Sequence, residues 1–281
     1  YGRFVTDAAD EALAATNIDK DALQCLIKNG GEFRDGVIAL IQKLSVTNQF
    51  VREEVPSKYG YLSGYRTPIL FTQQCEILRA KLGCEIMSDE SALNTPLVSL
   101  AEGNSAIPDW QTVASTYGEA VELVFKELAK SYNGRFVNYR EGERGPHQLK
   151  QSKCSIERLA LLKEQQKGAK ILVVQTQFGL HHRGRSVRRA REVFQASEFG
   201  LGAFAVGCML LTHENRLRRY NDLWIDCSGD EFYSDTGGVF LRAPFFGFRG
   251  EDLQFGAGGV GDPSGHYGTA SAFVPSAVPS E

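Results

Sequence analysis

Two uninterrupted apolar runs constrain the fold of this 281-residue chain more than any other feature. The run AKILVVQTQ at 169–177 is rich in β-branched residues, which is typical of a strand buried inside a sheet. The run GLGAFAVGCMLL at 200–211 has only 12 residues, whereas a membrane-spanning helix needs about 20. It therefore predicts a buried core helix, and we expect no membrane association.

The remaining patterns predict an α+β fold with a mixed α/β core. Apolar residues at helical spacing mark helices along the first 52 residues, where Asp7 is a possible helix cap and the glycine pair at 30–31 suits a helix end. The same spacing recurs in GEAVELVFKELAK at 118–130. A second core strand is predicted in NDLWIDC at 221–227, so that the centre of the chain is expected to form a β-α-α-β core. Short antiparallel strands are predicted in the Gly-, Phe- and Ser-rich residues 228–281.

The same patterns predict how the chain divides into domains. We expect a helical N-terminal segment at 1–52, a linker at 53–68 that contains Pro, Gly and three tyrosines, and an α+β core domain at 69–281. One continuous domain is the alternative. Within the core domain, residues 84–112 look irregular, because they contain two prolines and no sustained periodicity.

Composition limits the classes of function and the compartment. The formal net charge of −3 excludes attraction of nucleic acid by the molecule as a whole, so that any anion binding must be local. None of the six cysteines forms a CxxC pair, and a chain of this size does not need disulfides for stability. The first residues, YGRFVTDAAD, lack a signal-peptide pattern. We expect reduced cysteines and a cytoplasmic protein.

The stretch QTQFGLHHRGRSVRRARE at 175–192 predicts an anion-binding turn. A strand, a Gly-containing loop, the candidate helix N-cap Ser186 and a helix follow one another, an order that presents backbone N–H groups to an anion. Arginine binds phosphate through two parallel hydrogen bonds. The predicted phosphate-binding residues are Arg183, Arg185, Ser186, Arg188 and Arg189. The stretch matches neither the Walker A pattern nor GxGxxG.

Internal pairing is the main alternative to phosphate binding. Residues 175–220 contain eight arginines against three glutamates, whereas residues 221–252 contain seven acids against two arginines. The two charged blocks could therefore pair with each other, within one chain or between copies. The adjacent His181 and His182 are expected to be ordinary loop histidines, with a general base near a phosphate ester as the alternative.

A second candidate site is acidic. WIDCSGDEF places Asp226 in or at the end of an apolar strand, with Asp230 and Glu231 just beyond a turn. A buried carboxylate is costly unless it is paired or binds a metal, and oxygen ligands suit Mg²⁺ or Mn²⁺. Pairing of Asp226 with an arginine, while the later acids cap a turn, is the alternative.

Several stretches resemble a bacterial protein family from small, uncultivated genomes that has no assigned activity. They are FVNYREG at 136–142, QFGLHHRGRSVRRAREVF at 177–194, EFGLGAFAVGCMLLTH at 198–213 and DCSGDEF at 226–232. The resemblance implies a bacterial, cytosolic protein, and it transfers no cofactor or catalytic residue.

The leading functional prediction is a non-enzymatic protein whose arginine turn holds a phosphate-bearing partner, RNA or a nucleotide, without a cofactor. One alternative is a phosphoesterase or nuclease in which Asp226, Asp230 and Glu231 bind Mg²⁺ or Mn²⁺ while the arginines clamp the phosphate. The other is a protein-interaction or assembly protein whose charged blocks pair internally.

Overall fold

The computed structural model describes residues 10–16, 18–45, 47–233 and 239–275. The chain divides into two compact units, Tyr1–Thr47 and Asn48–Glu281. Helices and two β-sheets in the described residues confirm the predicted α+β class. Residues 53–68, which the sequence suggests as a linker, belong to the second unit, where Glu54 and Gly60 form isolated β-bridges with Arg185 and Asp222.

The described part of the first unit is helical. Its helices are α1 at residues 10–16, α2 at Lys20–Lys28 and α3 at Gly30–Ser45. Asp19 caps α2 by accepting a hydrogen bond from the Ala22 N–H at 2.8 Å. The sequence suggests that the glycine pair at 30–31 ends a helix, but Asn29 closes α2 and the glycines begin α3. The expected cap at Asp7 lies outside the described residues.

A four-stranded antiparallel sheet holds the predicted buried strand at its centre. In spatial order its strands are β1 (Gly103–Pro108), β4 (Ile171–Gln177), β11 (Ser271–Phe273) and β5 (Glu198–Gly200). All seven residues of β4 are buried, because β1 and β11 pair with its two edges. Strand β1 falls in the stretch 84–112, where the sequence shows no strand pattern.

A second, seven-stranded sheet forms from the remaining short strands. These are β2 (Phe136–Asn138), β3 (Leu149–Gln151), β6 (Trp224–Asp226), β7 (Asp230–Phe232), β8 (Arg242–Arg249), β9 (Asp252–Gly259) and β10 (Tyr267–Thr269). Strands β8 and β9 form a hairpin in register from Arg242↔Gly259 to Arg249↔Asp252. The pairs β10–β6 and β2–β9 are parallel.

Helices of the second unit fill the space around the sheets. They are α4 (Phe71–Leu82), α5 (Tyr117–Ser131), α6 (Lys153–Gln165), α7 (Val187–Val193) and α8 (Ala203–Thr212). Every residue of α8 is buried, as the sequence predicts. A Cβ on Gly207 of α8 would lie 2.4 Å from Cγ1 of Val124, so glycine allows α5 and α8 to approach closely. No helix in the described residues is long and apolar enough to cross a membrane.

The predicted β-α-α-β core is interrupted, because the chain order is β4-α7-β5-α8-β6, and β4 and β6 lie in different sheets. The chain passes directly from β10 in the larger sheet to β11 in the smaller one, with only Ala270 between the two strands. The turn after β4 contacts β10, since Gly184 N–H donates to the Tyr267 carbonyl at 2.9 Å. The arginine-rich turn is thereby placed beside the strand pair β10–β6, which carries Asp226.

Candidate functional site

The arginine turn, defined as residues 178–186, connects β4 to α7. Its two glycines have positive φ angles, 113° at Gly179 and 79° at Gly184, which side chains disfavour. A Cβ on Gly184 would also lie 2.2 Å from the Val55 carbonyl oxygen. Ser186 caps α7 by accepting a hydrogen bond from the Arg189 N–H at 3.1 Å. The predicted strand-loop-helix geometry and N-cap are therefore confirmed.

Arg188 and Arg189 of α7 are paired with glutamates, whereas Arg191, the third arginine of this helix, donates to the backbone carbonyls of Ser228 and Asp230. Arg188 Nε lies 2.8 and 2.7 Å from the two carboxylate oxygens of Glu53. Arg189 is buried, with Nε 2.5 Å from Glu54 and Nη1 2.8 Å from Glu192. Hydrogen bonds and charge from these arginines hold the pKa of Glu53 and Glu54 below the ordinary range, against the opposing effect of burial. We call Glu53, Glu54 and Glu192 the glutamate cluster.

Arg185 joins the glutamate cluster to a buried histidine. Its Nε lies 3.5 Å from Glu54, and its Nη1 donates to Nδ1 of the fully buried His182 at 2.9 Å. Since guanidinium groups only donate, Nδ1 accepts, and Nε2 of His182 carries the hydrogen that is shared with Glu198 at 2.7 Å. His182 is thus a hydrogen-bonded histidine of the turn after β4, as the sequence suggests, and its side chain is fully buried.

Three of the four predicted phosphate-binding arginines therefore already have carboxylate partners. The partners are not the acids of residues 221–252, which the charge count suggested, but those of residues 53–54 and Glu192. These ion pairs fasten the segment 48–55 to α7, and Ser186 also donates to Glu53 at 2.6 Å. A phosphate role for Arg185, Arg188 and Arg189 stays a prediction.

The three arginines of HENRLRRY at 213–220 also differ in their partners. Arg216 is fully buried and donates to the carbonyls of Phe178 and Leu223, each at 2.8 Å. Arg218 pairs with Glu214 at 2.6 Å. Arg219 is exposed, and in the described residues it has no carboxylate partner.

Arg183 differs from the other three predicted phosphate-binding arginines, because it has no carboxylate partner in the described residues. It is exposed, and its Nη1 donates only to the backbone carbonyl of Tyr59 at 3.2 Å. The Tyr59 ring stacks on His266 with centroids 4.0 Å apart and 19° between the planes. Tyr220, which is 50% exposed, packs edge-on against His266 at 4.9 Å.

We call this surface the aromatic patch and define it by the rings of Tyr59, His266 and Tyr220. Three exposed cations adjoin it in sequence or by contact: Lys58, Arg183 and Arg219. Within the described ranges none of the three makes an ion pair. Nε2 of His266 donates to the Tyr220 carbonyl at 2.7 Å, which fixes the ring orientation. The sequence patterns do not indicate this patch, because only the fold brings Lys58 and Tyr59 beside His266.

The three predicted metal ligands do not converge in the fold. Asp230 is fully buried and accepts hydrogen bonds from Tyr117 at 2.8 Å and from the Ala203 N–H at 2.7 Å, at the start of α8. Glu231 pairs with Lys150 at 3.1 Å across β7 and β3. In the part of the chain that the structure describes, no group of three His, Cys, Asp or Glu side chains is arranged to hold a metal. The metal role of Asp226, Asp230 and Glu231 stays a prediction.

Asp226 is the predicted site residue with the most unusual environment. Its side chain is 9% exposed, and in the described residues its carboxyl group has no hydrogen-bond partner. Burial alone raises its pKa to about 7. It lines a cavity of about 220 Å³ together with Val187, Phe245, Gly258, Gly259, Asp262, Pro263, Ser264 and Tyr267.

No sequence pattern predicts that Glu53 and Glu54 pair with the arginines of α7. Glu53 and Glu54 lie about 130 residues before their partners, in a stretch without periodicity. For the Asp226 cavity, the apolar strand around an acidic residue was a usable signal, whereas the other residues that line the cavity come from α7, β8 and residues 258–267.

Three comparisons with known proteins return no relative. No family model, no curated protein and no solved structure matches the chain. The arginine turn, the aromatic patch and the Asp226 cavity are therefore the features from which a function can be inferred.

Proposed function

We propose that this protein binds single-stranded RNA or a nucleotide at the aromatic patch. The observation that carries the proposal is the partly exposed Tyr59–His266 stack beside three exposed cations that have no carboxylate partner in the described residues. Aromatic rings supply stacking surfaces for bases, and neighbouring cations hold the phosphates. The proposal retains the phosphate-bearing partner expected from the sequence and moves its main contact to Arg183.

Stacking supports a base-bearing ligand over a simple phosphate ion. The ring faces of nucleobases stack on aromatic side chains with about 1–3 kcal/mol per base. His266 is held in place on one side by Tyr59 and on another by Trp224, with a centroid distance of 4.9 Å to the latter. The patch is thus positioned before a ligand binds, which reduces the entropy lost on binding.

Charge supports a nucleic-acid strand or nucleotide despite the net charge of −3. The ion pairs of Arg185, Arg188 and Arg189 leave little of their charge for a ligand, whereas Lys58, Arg183 and Arg219 keep theirs. About three phosphate contacts give a slope of log affinity against log salt near −2 for a single strand. The binding is then local, modest and strongly dependent on salt.

Fluorescence anisotropy with a labelled oligouridine RNA tests this proposal. We expect affinity to fall about 20-fold between about 50 and about 200 mM salt, following the slope near −2. The triple variant Lys58→Ala/Arg183→Ala/Arg219→Ala should lose most of this salt dependence. Tyr59→Ala should weaken binding about tenfold at every salt concentration, because it removes stacking and leaves the charges in place.

A control with the same change in net charge separates local contacts from general attraction. Lys126, Arg135 and Lys153 are exposed cations that each pair with a glutamate elsewhere on the surface. Their triple alanine variant should keep the affinity and the salt slope of the wild type. Salt-independent binding, or equal losses in the two triple variants, would overturn the proposal.

A further inference from the structure

We propose that the Asp226 cavity is a second binding site, which takes an ammonium or guanidinium group of a small organic ligand. Its elements are the buried carboxyl group of Asp226, the partly exposed ring of Phe245, and the phenol of Tyr267 on the neighbouring strand. The site is separate from the aromatic patch in the groups that contact ligand, and it does not depend on the proposed function.

Asp226 lies beside a second polar group that has no hydrogen-bond partner in the described residues, the hydroxyl of Thr269. Thr269 on β10 is in parallel register with Asp226 on β6, so their side chains share one face of the sheet. The Thr269 hydroxyl is buried and has no hydrogen-bond partner in the described residues. The carboxyl group of Asp226 has none either, although it is nine-tenths buried. Buried polar groups in folded proteins are normally bonded, and Asp226 lines the cavity, so its carboxyl group is placed to meet a ligand.

The walls favour a cation. Phe245 and Tyr267 form an aromatic pair with centroids 5.3 Å apart, and ring faces attract cations. Gly258 and Gly259 leave room on the side formed by β9. Asp262 adds a second carboxylate at the exposed rim, and Ser264 adds a hydroxyl. Two carboxyl groups and two rings around about 220 Å³ suit an ammonium or guanidinium group and would repel an anion.

The charged and titratable groups around Asp226 do not already neutralise it. Tyr267 faces it from β10, Asp262 from the loop after β9, and Cys227 follows it in the chain. Arg188 on α7 approaches the same loop at Gly261, but its guanidinium is bonded to both oxygens of Glu53. A bound cation would therefore provide the partner that the fold withholds from Asp226.

Nuclear magnetic resonance titration with n-butylammonium and n-butylguanidinium tests the site, with n-butanol as the neutral match. Carboxyl-carbon and backbone signals of Asp226, Asp262 and Tyr267 report on the cavity. We expect saturable shifts with the two cations, and at least tenfold weaker binding of n-butanol. Because the ionised carboxyl group is the binding form, cation affinity should rise about 30-fold from about pH 5.5 to about pH 8.

Two variants make the result decisive. Asp226→Asn should abolish the saturable shifts and the pH dependence, while its thermal unfolding confirms that the protein is folded. Glu231→Gln removes an acid of the same segment that does not line the cavity, and it should bind like the wild type. Equal binding of n-butanol, unchanged binding by Asp226→Asn, or no saturable shift with either cation would overturn the proposal. None of these outcomes bears on RNA binding at the aromatic patch.

Discussion

At the scale of single residues, Asp226 and Asp230 show how local contacts separate two acids with the same apparent pKa. Burial raises the pKa of each to about 7. Asp230 nevertheless accepts hydrogen bonds from Tyr117 and Ala203, and so it has a clear structural task at the start of α8. Asp226 has no such donors in the described residues and faces a cavity, which makes it the stronger functional candidate.

The raised pKa of Asp226 makes the stability of the protein depend on pH. The unfolded chain loses this proton near pH 3.8 and the folded chain near 7, so stability falls as pH rises between these values. Above about pH 7 the full penalty, about 4 kcal/mol, is present. We expect the free energy of unfolding of Asp226→Asn, measured relative to the wild type, to be higher at about pH 8 than at about pH 4 by about 4 kcal/mol, because only the wild type carries the penalty at the higher pH. Urea unfolding at both pH values measures the difference, and a difference independent of pH would contradict the assignment.

At the scale of elements, Arg188 and Arg189 of α7 mainly stabilise the packing of the segment 48–55 on this helix. Arg188 and Arg189 connect α7 to Glu53 and Glu54, and these ion pairs hold the irregular segment 48–55 against the helix. A surface ion pair contributes little stability by itself, but Arg189 is buried and bonded to two carboxylates. An unpaired guanidinium at that position would carry a desolvation cost.

The double variant Glu53→Gln/Glu54→Gln tests this role. We expect amide hydrogen exchange to accelerate about tenfold in residues 48–57, with a loss of about 2 kcal/mol in global stability. Glu231→Gln, which breaks a partly exposed pair between β3 and β7, should leave exchange in residues 48–57 unchanged. Unchanged exchange in the double variant would show that other contacts hold the segment.

At the scale of the whole molecule, the hydrophobic core of the described residues belongs to the second unit. Its buried members range from Tyr65 to Val274 and draw on both sheets and on helices α4, α5, α6 and α8. Helix α2 in the first unit has no buried residue. Since stability comes mainly from burial of apolar surface, the second unit contains what it needs to fold.

A chain limited to residues 48–281 should therefore fold by itself. We expect one cooperative transition in scanning calorimetry, with a Tm within a few degrees of the full-length value. Binding to oligouridine should also be retained, because every residue of the aromatic patch lies in this unit. A broad transition or loss of near-ultraviolet circular dichroism would show that residues 1–47 are required.

The sequence alone determined the features that depend on local patterns. The buried run 169–177, the apolar helix α8, the cap at Ser186 and the α+β class all follow from periodicity and side-chain chemistry, and the structure confirms each. Helix α5 also follows from its amphipathic repeat, and the structure adds a capping box formed by Thr116 and Glu119. Strand β1 was missed, because its pairing partner β4 lies about 70 residues away.

Only the tertiary structure decided which charges pair and which stay free. Eight arginines in residues 175–220 look alike in sequence, but their partners come from residues 53–54, from Glu214 and from backbone carbonyls. Long-range ion pairs leave no periodic signal, since one contact between distant residues depends on how whole elements pack. The fold therefore sets Arg183 apart beside the Tyr59–His266 stack, and among the described residues it gives the Asp226 carboxyl group no hydrogen-bond partner.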